Sequence, residues 1–245
     1  MLKNEFDESE IGKCGKKTIV KYIIYEIIFL VYFFIVAYIE NKVGYITFGE
    51  LTKTTVFYRF IQDALVLLFP SILVLVWFRK RLDEIGIKKT EIPLCAILLG
   101  TYILFFFLRG DYASIEGCYK FFFYLLLTAL GEELWSRGFV YLQIKKYNIV
   151  AAVIISGVFF GIGHSILPAI LQNYTIGEII GSISSQIGGG IVGGMIFIFY
   201  LEFSGSIFVP MLIHALLDYS YGMGGLIVAI VTAIYLIVKR YMKRK

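Results

Sequence analysis

Six residues of this chain combine types and spacings that suit general acid–base chemistry, and all six lie in apolar surroundings. Glu132, Glu133 and Arg137 fall in the middle of the stretch FFFYLLLTALGEELWSRGFVYLQ. The two histidines of the chain lie in FFGIGHS (His164) and VPMLIHALLD (His214), with Asp218 ending the second. An ionisable group in hydrocarbon costs about 2.5–3.5 kcal/mol on insertion scales, so such groups face a protein interior or a water-filled cavity. Glu133 and Arg137 are four residues apart, on one helix face and in the favourable order for an ion pair. A buried pair that fixes packing accounts for those two. It does not account for Glu132, which sits about 100° around the helix and has no cation of its own. A lone carboxylate of that kind suits general base or acid work. A lone histidine on an apolar face is more often a satisfied core residue than a catalyst, but here both histidines lie in apolar stretches with carboxylates available. His214 and Asp218 share a helix face, so the acid can orient the imidazole or join it at a reacting group.

The elements that carry these residues are predicted to be transmembrane helices. The chain has 245 residues, 59% of them hydrophobic and 17% charged, too apolar for an ordinary soluble domain. Apolar blocks fall at 18–39, 56–78, 92–108, 118–144, 148–165, 178–201, 206–220 and 223–239, most of them long enough to cross a hydrocarbon layer of about 30 Å. The expected fold is therefore all-α, a polytopic transmembrane bundle of about eight spans; a seven-span count, without the short seventh block, is the competitor. The first block runs too long for a signal-peptide core and is read as a retained span.

Basic residues test the count, since Lys and Arg concentrate in cytoplasmic joints. One set of joints holds the lysines of the N-terminal tail (Lys3, Lys13, Lys16, Lys17 and Lys21), the cluster Arg79 to Lys89, Lys145 with Lys146, and Lys239 to Lys245. The alternate set holds only Lys42, Lys53, Arg59, Arg109 and Lys120. Eight spans with both termini cytoplasmic fit this bias. The net charge of +5 thus reports orientation, and with no basic stripe on a soluble face it does not imply nucleic acid. Cys14, Cys95 and Cys118 have neither paired spacing nor a CxxC, so no disulfide framework or structural zinc site follows. Gly188, Gly189, Gly190, Gly193 and Gly194 include overlapping GxxxG spacings, read as close helix packing in preference to a substrate groove.

Depth supplies a check. Counted from the joint at 146–147, Glu132 and His164 stand roughly 22–26 Å into their helices, while His214 and Asp218, counted from 206, come out at roughly 12–18 Å. Tilt can absorb that difference, so the groups are able to meet. Glu26, Asp63 and Glu202, also in or at the edge of apolar blocks, are read as packing or interfacial groups.

EExxxR at Glu132, Glu133 and Arg137, FxxxH at Phe160 and His164, and HxxxD at His214 and Asp218 together resemble the CPBP intramembrane proteases, the group of CAAX prenyl endopeptidases and bacteriocin-processing or self-immunity proteins. The resemblance covers roughly residues 115–240. It divides the chain into an N-terminal cytoplasmic tail with three supporting spans (1–114) and a catalytic helix bundle with a basic cytoplasmic C-terminus (115–245). It implies peptide-bond hydrolysis within the bilayer without a cofactor. In that scheme Glu132 is the general base, His164 holds and polarises the water, His214 and Asp218 face the scissile carbonyl, and Glu133, Arg137 and Phe160 support them. Prenyl-processing members carry Asn where this chain has Asp218; an amide donates to an oxyanion, whereas Asp218 must be protonated or must orient His214 as a positive donor.

Other readings stay open at this point. A zinc-dependent protease of the same family would use Glu132, His164 and His214 as ligands, although no HExxH is present. A non-catalytic bacteriocin immunity or scaffold membrane protein would tolerate change at Glu132. A transporter would show an inverted repeat, and none is visible. The expected partners are the lipid bilayer and a membrane-associated peptide or protein substrate. The richness in Ile, Lys, Phe and Tyr points to a Gram-positive cell membrane, where a peptide pheromone or bacteriocin is a more natural substrate than a CAAX protein.

Overall fold

The structure is a computed structural model and describes residues 8–220 and 223–243, with side chains from residue 15. Lys3, Lys13, Cys14, Tyr221, Gly222, Arg244 and Lys245 lie outside the described residues or side chains. The described chain forms eight helical runs and no strand. They are α1 (Glu8–Val43), α2 (Val56–Trp77), α3 (Ile92–Leu108), α4 (residues 115–144), α5 (Ile149–Leu171), α6 (Ile176–Ser204), α7 (Phe208–Tyr219) and α8 (Met223–Met242).

Five of these, α1, α2, α5, α6 and α8, are long and apolar enough to cross a membrane. Their outward faces carry large apolar side chains such as Ile28, Val31, Trp77, Val192 and Ile234 in exposed positions. So much exposed apolar surface is unsuited to water, and the protein is a multi-pass membrane protein. α7 has only 12 residues, about 18 Å of helix. It is short because it runs inside the bundle: Val209, Ile213, Ala215, Leu216 and Tyr219 are fully buried, packed against Leu98 and Tyr102 of α3 and Leu125 of α4.

Polar contacts sort the joints into two ends. At one end Gln143 and Lys146 meet Glu84, Ser206 donates to the Lys88 carbonyl, and Lys239 bonds Glu91. These are the joints of the lysine- and arginine-rich set, gathered on one side as alternating passes require. At the other end Arg59 pairs with Asp63 at 2.6 Å, Tyr119 donates to Asp63, and Arg109 reaches both Asp111 and the Tyr219 carbonyl. Burial pushes the Asp111 carboxyl up, but the Tyr219 hydroxyl and the Arg109 guanidinium outweigh it and hold it below the ordinary carboxylate value. That clamp fixes the last turn of α7 against the joint that leads into α4.

The helices that carry the site are sharply delimited. Ser114 and Asn148 cap α4 and α5 by accepting from Gly117 N–H and Ala151 N–H, and Thr175 with Glu178 forms a capping box on α6. α6 ends at Gly205, whose φ of 72° lets the chain turn directly into α7.

Glycines bring α5 and α6 into backbone contact. A methyl on Gly161 would stand 2.2 Å from the Gln186 carbonyl oxygen, and one on Gly190 would stand 2.4 Å from that of Gly157. Close packing thus explains Gly190 and Gly194, whereas Gly188, Gly189 and Gly193 have nothing within 4 Å. Gly190→Ala is therefore expected to lower stability by about 1–3 kcal/mol, because two backbones must separate. Gly193→Ala is expected to leave it unchanged or raise it by up to about 1 kcal/mol. Thermal unfolding of the two variants in detergent checks the contrast; equal melting temperatures would show that the α5–α6 seam is not tight.

Candidate active site

α4 is a continuous helical run, but its winding is not uniform. π-helical stretches at Phe123–Ala129 and Leu134–Tyr141 flank a short α segment, Leu130–Glu133. Such widened turns recur at functional sites, and here they bracket Glu132 and Glu133. Gly131 brings α2 close, since a methyl there would meet the Leu67 carbonyl oxygen at 2.6 Å, and Ser71 donates to the Gly131 carbonyl across the same contact.

Glu133 is fully buried and Arg137 is 1% exposed. The Arg137 Nη1 stands 3.2 Å from Glu133 Oε1, so the pair expected from the spacing forms in spite of the π turn. The guanidinium also lies over the rings of Phe160, at 4.4 Å, and Phe197, at 5.1 Å, a favourable setting for a cation removed from water. A second partner of Glu133 was not legible in the spacing. Its Oε1 accepts from His214 Nδ1 at 2.9 Å, joining α4 to α7 and fixing the imidazole.

The other nitrogen of that ring faces two carboxylates. His214 Nε2 is 3.3 Å from Asp218 Oδ2 and 3.7 Å from Glu132 Oε2. Glu133, and not Asp218, thus orients the ring from behind, while Asp218 stands on the Nε2 side. Phe197 of α6 stacks on the ring at 4.6 Å. The sequence reading did not single out Phe197. Its available signal was helical spacing, since Gly190, Gly194, Phe197 and Leu201 form one buried stripe of α6.

His164 completes the group from α5. Its Nδ1 is 2.8 Å from the Phe160 carbonyl oxygen. A carbonyl only accepts, so Nδ1 carries the hydrogen and Nε2 is left with its lone pair. That lone pair is directed toward Glu132 Oε2, 3.9 Å away, and the Phe160 ring packs on the imidazole at 4.3 Å. Glu132 Oε2 is buried without a hydrogen-bond partner. Two acceptors about 4 Å apart are too far for each other and correctly spaced for one water, which can donate a proton to each.

Residues 114–220 match the family model described as type II CAAX prenyl endopeptidase Rce1-like. Over this segment, somewhat less than half of the chain, the sequence is similar to the Rce1-like family. It contains Glu132, Glu133, Arg137, Phe160, His164, His214 and Asp218 together, and runs from the N-cap of α4 to the end of α7. The similarity to the Rce1-like family supports an intramembrane CAAX-type protease, a hydrolase. Comparison with curated proteins and with solved structures gave no match.

The Rce1-like segment does not enclose the site by itself. A cavity of about 310 Å³ opens on Glu132 and His164, and its remaining wall comes from α1 and α2, including Glu26, Phe29, Phe33, Glu40 and Leu67. The three charges read as packing groups all have partners. Glu26 accepts from Trp135 Nε1 at 3.1 Å, Asp63 holds Arg59 and Tyr119, and Glu202 pairs with Lys145 and Tyr141. Cys95 and Cys118 are free thiols.

The zinc alternative asks Glu132, His164 and His214 to converge on one ion. Among the described residues no three His, Cys, Asp or Glu side chains form a metal-holding group. The imidazole nitrogens stand 3.7 and 3.9 Å from Glu132 Oε2, beyond the roughly 3.3 Å between ligands bound tetrahedrally at about 2.0 Å. As placed, the donors do not fit zinc.

Proposed function

We propose that the protein is an intramembrane glutamic endopeptidase that hydrolyses a peptide bond of a membrane-associated peptide or protein with a glutamate-activated water. The observation that carries this reading is Glu132 Oε2, buried, without a hydrogen bond, and within 4 Å of both imidazole Nε2 atoms at the wall of a cavity. A water there donates one hydrogen to Glu132 and the other to the His164 lone pair, leaving its own lone pair for the scissile carbonyl carbon. As the new C–O bond forms, Glu132 takes the proton. His214, carrying hydrogens on both nitrogens between Glu133 and Asp218, donates from Nε2 to the oxyanion of the tetrahedral intermediate. In the resting site Asp218 accepts that same hydrogen, so its role is to hold Nε2 protonated. When the C–N bond breaks, Glu132 returns its proton to the leaving amine.

In this reading both termini lie on the cytoplasmic side of a cell membrane, an orientation that the gathering of the basic joints at one end supports. Among substrates of this class, a peptide pheromone or bacteriocin precursor fits a Gram-positive source better than a prenylated CAAX protein. The test is purified protein in lipid vesicles, challenged with membrane-embedded peptides and read by mass spectrometry. Cleavage is expected, and a chelator is expected to leave its rate within about twofold. Loss of cleavage in chelator with recovery on adding Zn²⁺ would replace this mechanism with the metal-dependent one. Cellular function without cleavage of any peptide would point to the scaffold reading.

A further inference from the structure

The cavity beside Glu132 holds a second carboxylate that the hydrolytic scheme does not use. Glu40, near the end of α1, lines it, is 7% exposed, and its Oε1 is buried without a hydrogen bond. The neighbouring charges are already engaged. Arg59 is held by Asp63 at 2.6 Å and by the Ile46 carbonyl, and Asp63 also accepts from Tyr119. Glu26, the other carboxylate of α1 on this cavity, is bonded to Trp135. Among the described residues that line the cavity there is no lysine or arginine, while the rest of the wall is largely aromatic and aliphatic, with Phe29, Phe33 and Phe123 prominent. A buried carboxylate with an open acceptor in such a cavity is complementary to a cationic hydrogen-bond donor.

The geometry points to Glu40 as a specificity residue that receives a lysine or arginine side chain of the substrate, within an otherwise apolar segment lying along α1. This rests on the endopeptidase reading above. The distance sets the register. Glu26 is level with Trp135 through their hydrogen bond, and Glu40 lies about 21 Å further along α1 at 1.5 Å per residue. Glu132 is nearly one turn closer to Glu40 than Trp135 is, about 4.5 Å along α4, which leaves roughly 15–20 Å between the reacting water and Glu40. An extended chain covers about 3.3 Å per residue. The basic residue therefore lies about four to six residues from the cleaved bond.

The test moves a single lysine along an apolar peptide, on both sides of the cleaved bond, in vesicles of phosphatidylglycerol alone, which carry no amine headgroup. Wild type is expected to prefer the peptide with lysine four to six residues away over the all-neutral peptide by about tenfold in kcat/KM. In Glu40→Gln that ratio falls to near one, and in Glu40→Lys it inverts toward a peptide with glutamate at the same place. The same peptides are titrated against Glu132→Gln, with and without Glu40→Gln, reading Trp135 fluorescence. A lysine preference in binding that depends on Glu40 but comes with no cleavage by wild type would leave this assignment standing and overturn the endopeptidase reading. An equal lysine-to-neutral ratio in wild type and Glu40→Gln, in cleavage or in binding, would overturn the assignment. A preference that disappears when phosphatidylethanolamine is added would do the same and give Glu40 to the lipid amine.

Discussion

Glu132→Gln is expected to lower kcat/KM for an embedded peptide by about 10²–10⁴-fold, the range that a positioned general base contributes. Glutamine keeps the size and one acceptor oxygen of the side chain but cannot take the proton. The loss should appear in kcat, because water activation occurs after the peptide has bound. Folding should be little changed, since Glu132 Oε2 makes no hydrogen bond whose removal would be felt elsewhere. Circular dichroism and the melting temperature in detergent check that point beside the rate. A glutamine variant that is folded and cleaves like wild type would remove Glu132 from the chemistry.

Arg137→Met should act in the opposite sense, mainly on stability. It leaves Glu133, which is fully buried, without the cation 3.2 Å away, and uncompensating one member of a buried pair costs about 3–5 kcal/mol. Glu133→Gln alone should cost a similar amount, because Arg137 is then the orphan. The double variant Glu133→Gln, Arg137→Met removes both charges and is expected to recover much of the stability. It should not recover activity. His214 Nδ1 has then lost the carboxylate that accepts from it at 2.9 Å, and with it the support for a doubly protonated ring. Chemical unfolding of the three variants, set beside their cleavage rates, separates these effects; a double variant as active as wild type would show that Glu133 only packs.

The contrast between Glu132 and Glu133 was legible in the sequence because helix periodicity alone separates adjacent residues by face. Seven of the eight helices begin within three residues of the block drawn from hydropathy; only α1, entered through a polar stretch that hydropathy leaves out, starts much earlier, and α5 runs on through Pro168 to Leu171. What periodicity could not supply were contacts between helices. The Glu133–His214 bond, the stacking of Phe197 on His214 and the cavity wall built by α1 and α2 all depend on how remote helices approach. The π turns on either side of Glu132 were equally hidden, since hydropathy does not distinguish π from α winding. The shortfall in depth for His214 has a visible cause, because the chain enters α7 level with Leu142, where Ile207 and Leu142 both meet Gly86, about four residues deeper than the joint at 146–147 from which α4 is counted.

The central claim is that Glu132 and His164 hold and activate one water as a unit. The most direct measurement is a double-mutant cycle in vesicles: kcat/KM for Glu132→Gln, for His164→Ala, and for the two combined. If both groups serve the same water, the combined variant will be about as slow as Glu132→Gln alone, because groups that act together are strongly non-additive. Losses that simply multiply, or full cleavage with Glu132 replaced, would contradict the account.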